Sequence, residues 1–127
     1  MDEQEHHADL VEGFSQQMKQ VLDKSGQAIY LYLDDSHKVC NKKFADMLGY
    51  KSPKEWAETE APLSDVVEED QKEVIKVYMD ASEKMNSGWM EVRFKNIKTG
   101  KTVAANMLIV PIGYAGHIFT VHFFTKV

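Results

Sequence analysis

The sequence predicts an α+β domain, with helices grouped against one antiparallel sheet. Three observations carry this. A strong β-hairpin signal over 27–40 comes before the central helical segments. A long amphipathic helix follows over 69–86. Three alternating stretches, 89–97, 102–112 and 117–125, then close the chain through short turns. At 127 residues the chain is one unit by size, long enough to bury most of a core. It divides into an amphipathic helix over 1–25 and a sheet-bearing domain over 26–127.

Bulk composition narrows the function classes. The formal charge is −5, and Lys and Arg are scattered, so no phosphate-tracking surface and no nucleic-acid partner are expected. No apolar run is long enough to span a bilayer, and the N-terminus is acidic; a soluble, cytoplasmic protein without a membrane partner is expected. The single cysteine excludes an internal disulfide, which fits a reducing compartment.

Over 6–24, Leu10, Val11, Phe14, Met18, Val21 and Leu22 recur at helical spacing. Val11, Phe14, Met18 and Val21 have the rhythm of a short coiled-coil seam, and Ser25-Gly26 ends the helix. This helix can dock on its own domain, pair with a second copy, or do both. In the first strand Ile29, Leu31 and Leu33 point one way and Tyr30 and Tyr32 the other. Asp34-Asp35-Ser36 is a turn, and 37–40 is the returning strand.

The stretch Asn41-Lys-Lys-Phe-Ala-Asp-Met-Leu-Gly-Tyr50 is a strand-to-helix switch with start and stop both written locally. Asn41 is an N-cap, Phe44, Met47 and Leu48 make a narrow apolar face, and Gly49 is the left-handed closing residue. Ser52-Pro53-Lys54-Glu55 is a capping box with proline at the first helical position, and it carries Trp56. Ala61-Pro62 breaks the chain, and 63–67 reads as one more helical turn. Glu68-Glu69-Asp70 puts negative charge at the start of the long helix. There Val74, Tyr78, Ala81 and Met85 form an apolar stripe, widened by Ile75 and Met79, and Asn86-Ser87-Gly88 stops it.

Met90, Val92 and Phe94 alternate with Glu91, Arg93 and Lys95, and Lys98-Thr99-Gly100-Lys101 is a hairpin turn. In the last two strands both residue sets are apolar. A sheet with one wet face alternates cleanly, so the outer face must be covered. The leading helix is the first cover and a second subunit the next. A homodimer is therefore expected through Leu10, Val11, Phe14, Met18, Val21, Leu22, Tyr30, Tyr32 and Phe124.

The order strand, Asn-x-x-Phe-x-x-x-Leu-Gly-Tyr, then Ser52-Pro53-Lys-Glu55-Trp56, resembles the PAS domain, a sensory and interaction module. The resemblance covers 26–127. It implies a five-stranded sheet of order 2-1-5-4-3 and a cavity between the sheet and the helices, where family members hold haem, flavin or a small metabolite.

Each cofactor leaves a mark. Photoactive flavin binding requires a cysteine in the short helix before the long one; 63–67 has none, and Cys40, in another element, reads as a small buried hydrophobe. The haem-binding branch places an axial histidine on the long helix, which has none. His117 and His122 lie five apart on the last strand and face opposite sides. With Phe119, Val121 and Phe123 facing inward, His117 would do so too, as a strand-end histidine bonded to a turn or, in the haem reading, as the ligand. His6-His7 could take up a metal adventitiously but is expected to be solvated. No metal site, haem or flavin is expected.

The expected pocket is apolar and lined by Ile29, Leu31, Phe44, Leu48, Val74, Tyr78, Met85, Met90, Val92, Phe94, Met107 and Phe119, with Tyr78 as polar handle. It either admits an unidentified small apolar metabolite or is a filled core. Catalytic motifs are lacking: there is no nucleophile elbow, metal-ligand cluster or phosphate loop. Asp34-Asp35 reads as turn caps. A ketosteroid-isomerase-type cone enzyme would place its helices before nearly all of its sheet, contrary to the order here. The expected function is a sensor of small molecules, a module for homodimerisation or for binding a signalling protein, or both, and not an enzyme; the alternative is a haem-based gas or redox sensor. The chain stops as the last strand stops, so no output segment is expected within it, whether it works by binding a partner or is a piece of a larger signalling protein.

Overall fold

One side chain joins the hairpin to the first central helix. Asn41 Oδ1 accepts from the backbone N–H groups of Ile29 and Phe44, both at 3.0 Å. Its Nδ2 donates to the carbonyls of Gln27 at 2.9 Å and Leu22 at 3.2 Å. Buried at the junction, Asn41 thus caps a helix, continues a strand and ties down the end of the leading helix.

The computed structural model describes residues 2–60 and 62–127; Met1, and Ala61 from the expected Ala61-Pro62 break, lie outside the described residues. The elements are α1 (Glu3–Gln17), α2 (Lys19–Lys24), β1 (Ala28–Asp34), β2 (His37–Cys40), α3 (Lys42–Leu48), α4 (Pro53–Ala57), a 3-10 turn (Pro62–Asp65), α5 (Glu68–Lys84), β3 (Gly88–Lys95), β4 (Thr102–Tyr114) and β5 (His117–Lys126). The strands form one antiparallel sheet of order β2-β1-β5-β4-β3, the order that the resemblance implies.

The local signals act as their chemistry requires. Asp2 caps α1, Asn41 caps α3 and Ser52 caps α4 through Oγ to the Glu55 N–H at 3.1 Å. Gly49 closes α3 at φ 84°, and a Cβ there would collide with Asn96, which donates to the Met47 carbonyl at 3.2 Å. Asp70 takes the Arg93 guanidinium at 2.7 and 3.0 Å and its backbone N–H at 2.9 Å, fixing the start of α5 to β3. The expected helical turn at 63–67 is shorter: Val66 bridges to Phe94, and the Val67 N–H donates to the Arg93 carbonyl. The leading helix is broken at Met18, so its seam divides between α1 and α2. Phe14 is fully buried, Met18 and Leu22 are half-buried, and Val21 is 40% exposed.

Two apolar clusters lie on opposite faces of the sheet. The inner one joins Tyr30, Cys40 and Phe124 to α3, Trp56, Val74, Ala81 and the strand residues Met90, Val92, Phe94 and Met107. The outer one joins Leu10, Val11 and Phe14 of α1 to Ile29, Leu31, Phe119 and Val121. Phe14 and Phe119 meet with ring centroids 4.4 Å apart. Gly13 lets Tyr114 reach α1, since a Cβ at that position would strike the phenol oxygen.

The side assignment of β1 and β5 is therefore the reverse of the expected one. Ile29, Leu31 and Phe119 face α1, not the pocket, whereas Tyr30, Tyr32 and Phe124 face the central helices, not a cap or dimer partner. The register gives the reason: Tyr30 pairs with Cys40, the residue just before the α3 cap, so its side chain shares the face that α3 covers. Met85 is also displaced. It ends α5 in the left-handed conformation at φ 57° and is 51% exposed, outside the inner cluster.

Candidate functional site

A cavity of about 170 Å³ lies between the inner face of β1 and β5, the Pro62–Asp65 turn and α5. Tyr30, Tyr32 and His122 form its floor; Leu63, Val66, Val74, Ile75 and Tyr78 form its walls, and Asp35 stands at the rim. Ile75 is itself exposed, so the cavity reaches the surface beside α5.

His122 is its most unusual component. The imidazole is fully buried, lies flat on Tyr30 with ring centroids 4.0 Å apart, and shares a hydrogen bond between Nε2 and Thr120 Oγ1 at 2.9 Å. Among the described residues its Nδ1 has no partner. Burial pulls its pKa down to about 3, so the ring is neutral at ordinary pH. A neutral, buried ring with one uncommitted nitrogen is an unsatisfied polar group within a residue that lines the cavity.

The surrounding phenols are also held neutral. Burial raises the pKa of Tyr30, Tyr32 and Tyr78, and for Tyr32 the hydrogen bond to Asp35 Oδ1 at 2.5 Å adds to it. Tyr78 packs edge-on against Tyr32, centroids 5.3 Å apart. Behind this wall Lys38 is almost wholly buried, donating from Nζ to the carbonyls of Asp35 and Thr59 at 2.5 Å and Ala57 at 3.3 Å, and lying over Trp56. Burial lowers its pKa against the pull of Asp35 and Asp34. Asp65 accepts both its hydrogen bonds from the Tyr50 hydroxyl, at 2.7 and 2.9 Å; burial raises its pKa and outweighs that bond.

Of the expected lining residues, Val74 and Tyr78 border the cavity. Phe44, Leu48, Met90, Val92, Phe94 and Met107 share the inner core with it but pack against one another. Tyr30, Tyr32 and His122 were not anticipated there. Their signal was the period-two alternation of β1 and β5, which orders the faces but leaves open which one is inside. His117 sits on the outer side, with Nδ1 3.3 Å from the Ala115 carbonyl, so it is a strand-end histidine beside a turn and does not face the cavity. Cys40 is buried, and burial pushes its thiol up to about 12, as suits a packing residue.

A second polar group stands on the opposite face. His7, expected in solvent, is half-buried against the hairpin turn, with Nδ1 2.7 Å from Asp34 Oδ2; His37 Nδ1 is 2.6 Å from Asp34 Oδ1. Burial works against the Asp34 charge, but the hydrogen bonds from His37 and His7 outweigh it and hold the carboxyl below its usual range.

No protein-family model and no curated protein matches this sequence. Solved structures do. The PAS domain of an HTR-like protein from Haloarcula marismortui superposes with a TM-score of 0.69 at 14% identity, covering 97% of this chain and 99% of that one. The chain has the PAS fold. A PAS domain from Colwellia psychrerythraea matches at TM-score 0.71 and 17% identity, over 90% of this chain and 97% of its own. The PAS domain of the fruit-fly ELK potassium channel matches at 0.68 and 20%, again over 90% and 97%. Among the described residues no helix is long and apolar enough to cross a membrane.

Proposed function

We propose that this PAS-fold chain is a sensory and interaction domain, and that its cavity takes a small, largely apolar molecule carrying one hydrogen-bonding group. The observation that supports this reading is the uncommitted Nδ1 of His122, a buried polar atom on a residue that lines an apolar cavity. Such an atom normally finds a partner, because leaving it bare costs about 1–3 kcal/mol. A space near 170 Å³ suits a benzene-sized molecule rather than a drug-sized one.

A haem sensor is the weaker reading. His117 lies on the wrong face, and a porphyrin would have to part Tyr30 from Phe44, Trp56 and Phe124, whose rings pack within 5.6 Å of Tyr30. Binding rather than catalysis is the reading favoured by the state of the cavity's groups: burial makes His122 a weak base and keeps the phenols un-ionised, and the Asp35 carboxylate at the rim is engaged by the Tyr32 hydroxyl.

The proposed partner is a second copy. Helix α1 covers the outer faces of β1 and β5 but leaves Trp89, 62% exposed, beside Leu108, 41% exposed, which in turn pairs with half-buried Phe123. Together with exposed Val21 these residues continue the outer surface expected to be covered. Native mass spectrometry of freshly purified, tag-free protein, read beside its absorption spectrum, tests the reading. The expected result is a dimer carrying a small organic adduct and no Soret band. A Soret band, or a monomer that never shifts its melting point with any small aromatic or aliphatic probe, would overturn it.

A further inference from the structure

Four of the five histidines meet at one place, although the chain separates them widely: His6 and His7 at the start of α1, His37 at the start of β2 and His117 at the start of β5. The His7 ring lies 5.5 Å from that of His37 and 5.7 Å from that of His117, and His6 lies 5.2 Å from His117. Asp34 sits between two of them, one carboxylate oxygen to each.

We infer that His7, Asp34 and His37 form a binding site for a divalent transition-metal ion of the zinc class, which clamps the leading helix to the hairpin turn. One donor atom from each of the three lies within 4.8 Å of the other two. A tetrahedral ion with bonds of about 2.0–2.1 Å holds its ligands roughly 3.3 Å apart. The three donor atoms, now within 4.8 Å of one another, would settle to about 3.3 Å around the ion as one carboxylate oxygen and two ring nitrogens, with both rings neutral and their proton on Nε2. The donor set chooses the class: two imidazoles and one carboxylate suit zinc, copper or nickel, whereas magnesium and calcium take oxygen throughout.

The setting favours a site over a chance encounter. The histidine side chains are 17% and 10% exposed, so less water competes for the ion. Asp34 is held from behind by the Ser36 N–H at 3.0 Å. His117 stands beside His7 with ring centroids 5.7 Å apart but outside the three-donor set, so the fourth position is left to water. An ion here would join α1 to the β1–β2 turn. Bound only by the folded chain, it would stabilise the docked position of α1.

Isothermal titration of zinc chloride into the tag-free, chelator-washed full chain tests the site. One ion per chain with at least micromolar affinity is expected, together with a raised melting temperature that EDTA reverses. His37→Ala and His7→Ala should each weaken binding more than tenfold and remove the melting shift, while His6→Ala leaves both unchanged. His37→Ala and His7→Ala are judged only after their circular dichroism matches the parent. The absence of stoichiometric uptake would overturn the inference. So would uptake that survives His37→Ala but is lost in His6→Ala, the behaviour of an adventitious terminal pair.

Discussion

Tyr30 and His122 face each other across the β1–β5 register with ring centroids 4.0 Å apart and planes 20° from parallel. The stack puts a neutral imidazole at the floor of the inner cavity, and its titration follows from that position. Burial lowers the His122 pKa from its ordinary 6.5 to about 3. Between these values the unfolded chain holds a proton that the folded chain refuses, so stability is full above pH 6.5 and falls as the pH drops through that window. At pH 5 the loss is roughly 2 kcal/mol. His122→Phe preserves the stack and removes both the proton and the bare Nδ1. In urea unfolding, the gap between pH 7.5 and pH 5.0 should narrow by about that amount in the variant; an unchanged gap would place the titration elsewhere.

Asn41 is the joint whose loss should be felt in three elements. Asn41→Ala leaves two backbone N–H groups and two carbonyls without this partner, at a cost of about 3 kcal/mol. Asn41→Asp keeps the two acceptor bonds and should cost less. Urea midpoints of the two variants should rank in that order.

The leading helix is structural as well as connective. Phe14 is fully buried against Phe119 and Tyr114, so Phe14→Ala should cost about 3–5 kcal/mol. Val21→Ala, on the exposed side of α2, should stay within about 0.5 kcal/mol. Equal losses at both positions would contradict the docking of α1.

Self-association is best probed away from Phe14, since a charge there would unfold the outer cluster and give no separate information on pairing. Leu108 is exposed and flanked by Trp89 and Phe123. Leu108→Glu should convert a dimer into a monomer in light scattering with little change in melting temperature. A dimer that persists would move the interface to another surface.

Much of this architecture could be read from the residues, because its signals are local. The N-cap Asn41, the closing Gly49, the Ser52–Glu55 box and the alternation of Met90, Val92 and Phe94 each act within a few positions. What was not legible depends on a choice between two equivalent faces. In β1 and β5 both residue sets are apolar, so Tyr30 and Ile29 were equally fit to face inward, and only pairing with Cys40 beside the α3 cap decides it. His122 was hidden for the same reason. The histidine cluster was hidden for another: its members lie in three separate elements, and the sheet brings them together.

The cavity over Tyr30 and His122 is the claim on which the functional reading turns, and a titration seen by NMR tests it directly. Benzene-sized aromatic fragments should be added to protein carrying ¹³C-labelled histidine and tyrosine. Saturable shifts at His122 and Tyr78, abolished when Val74→Phe fills the space, are the predicted result. No saturable shift at either residue, or shifts that survive Val74→Phe, would contradict the account.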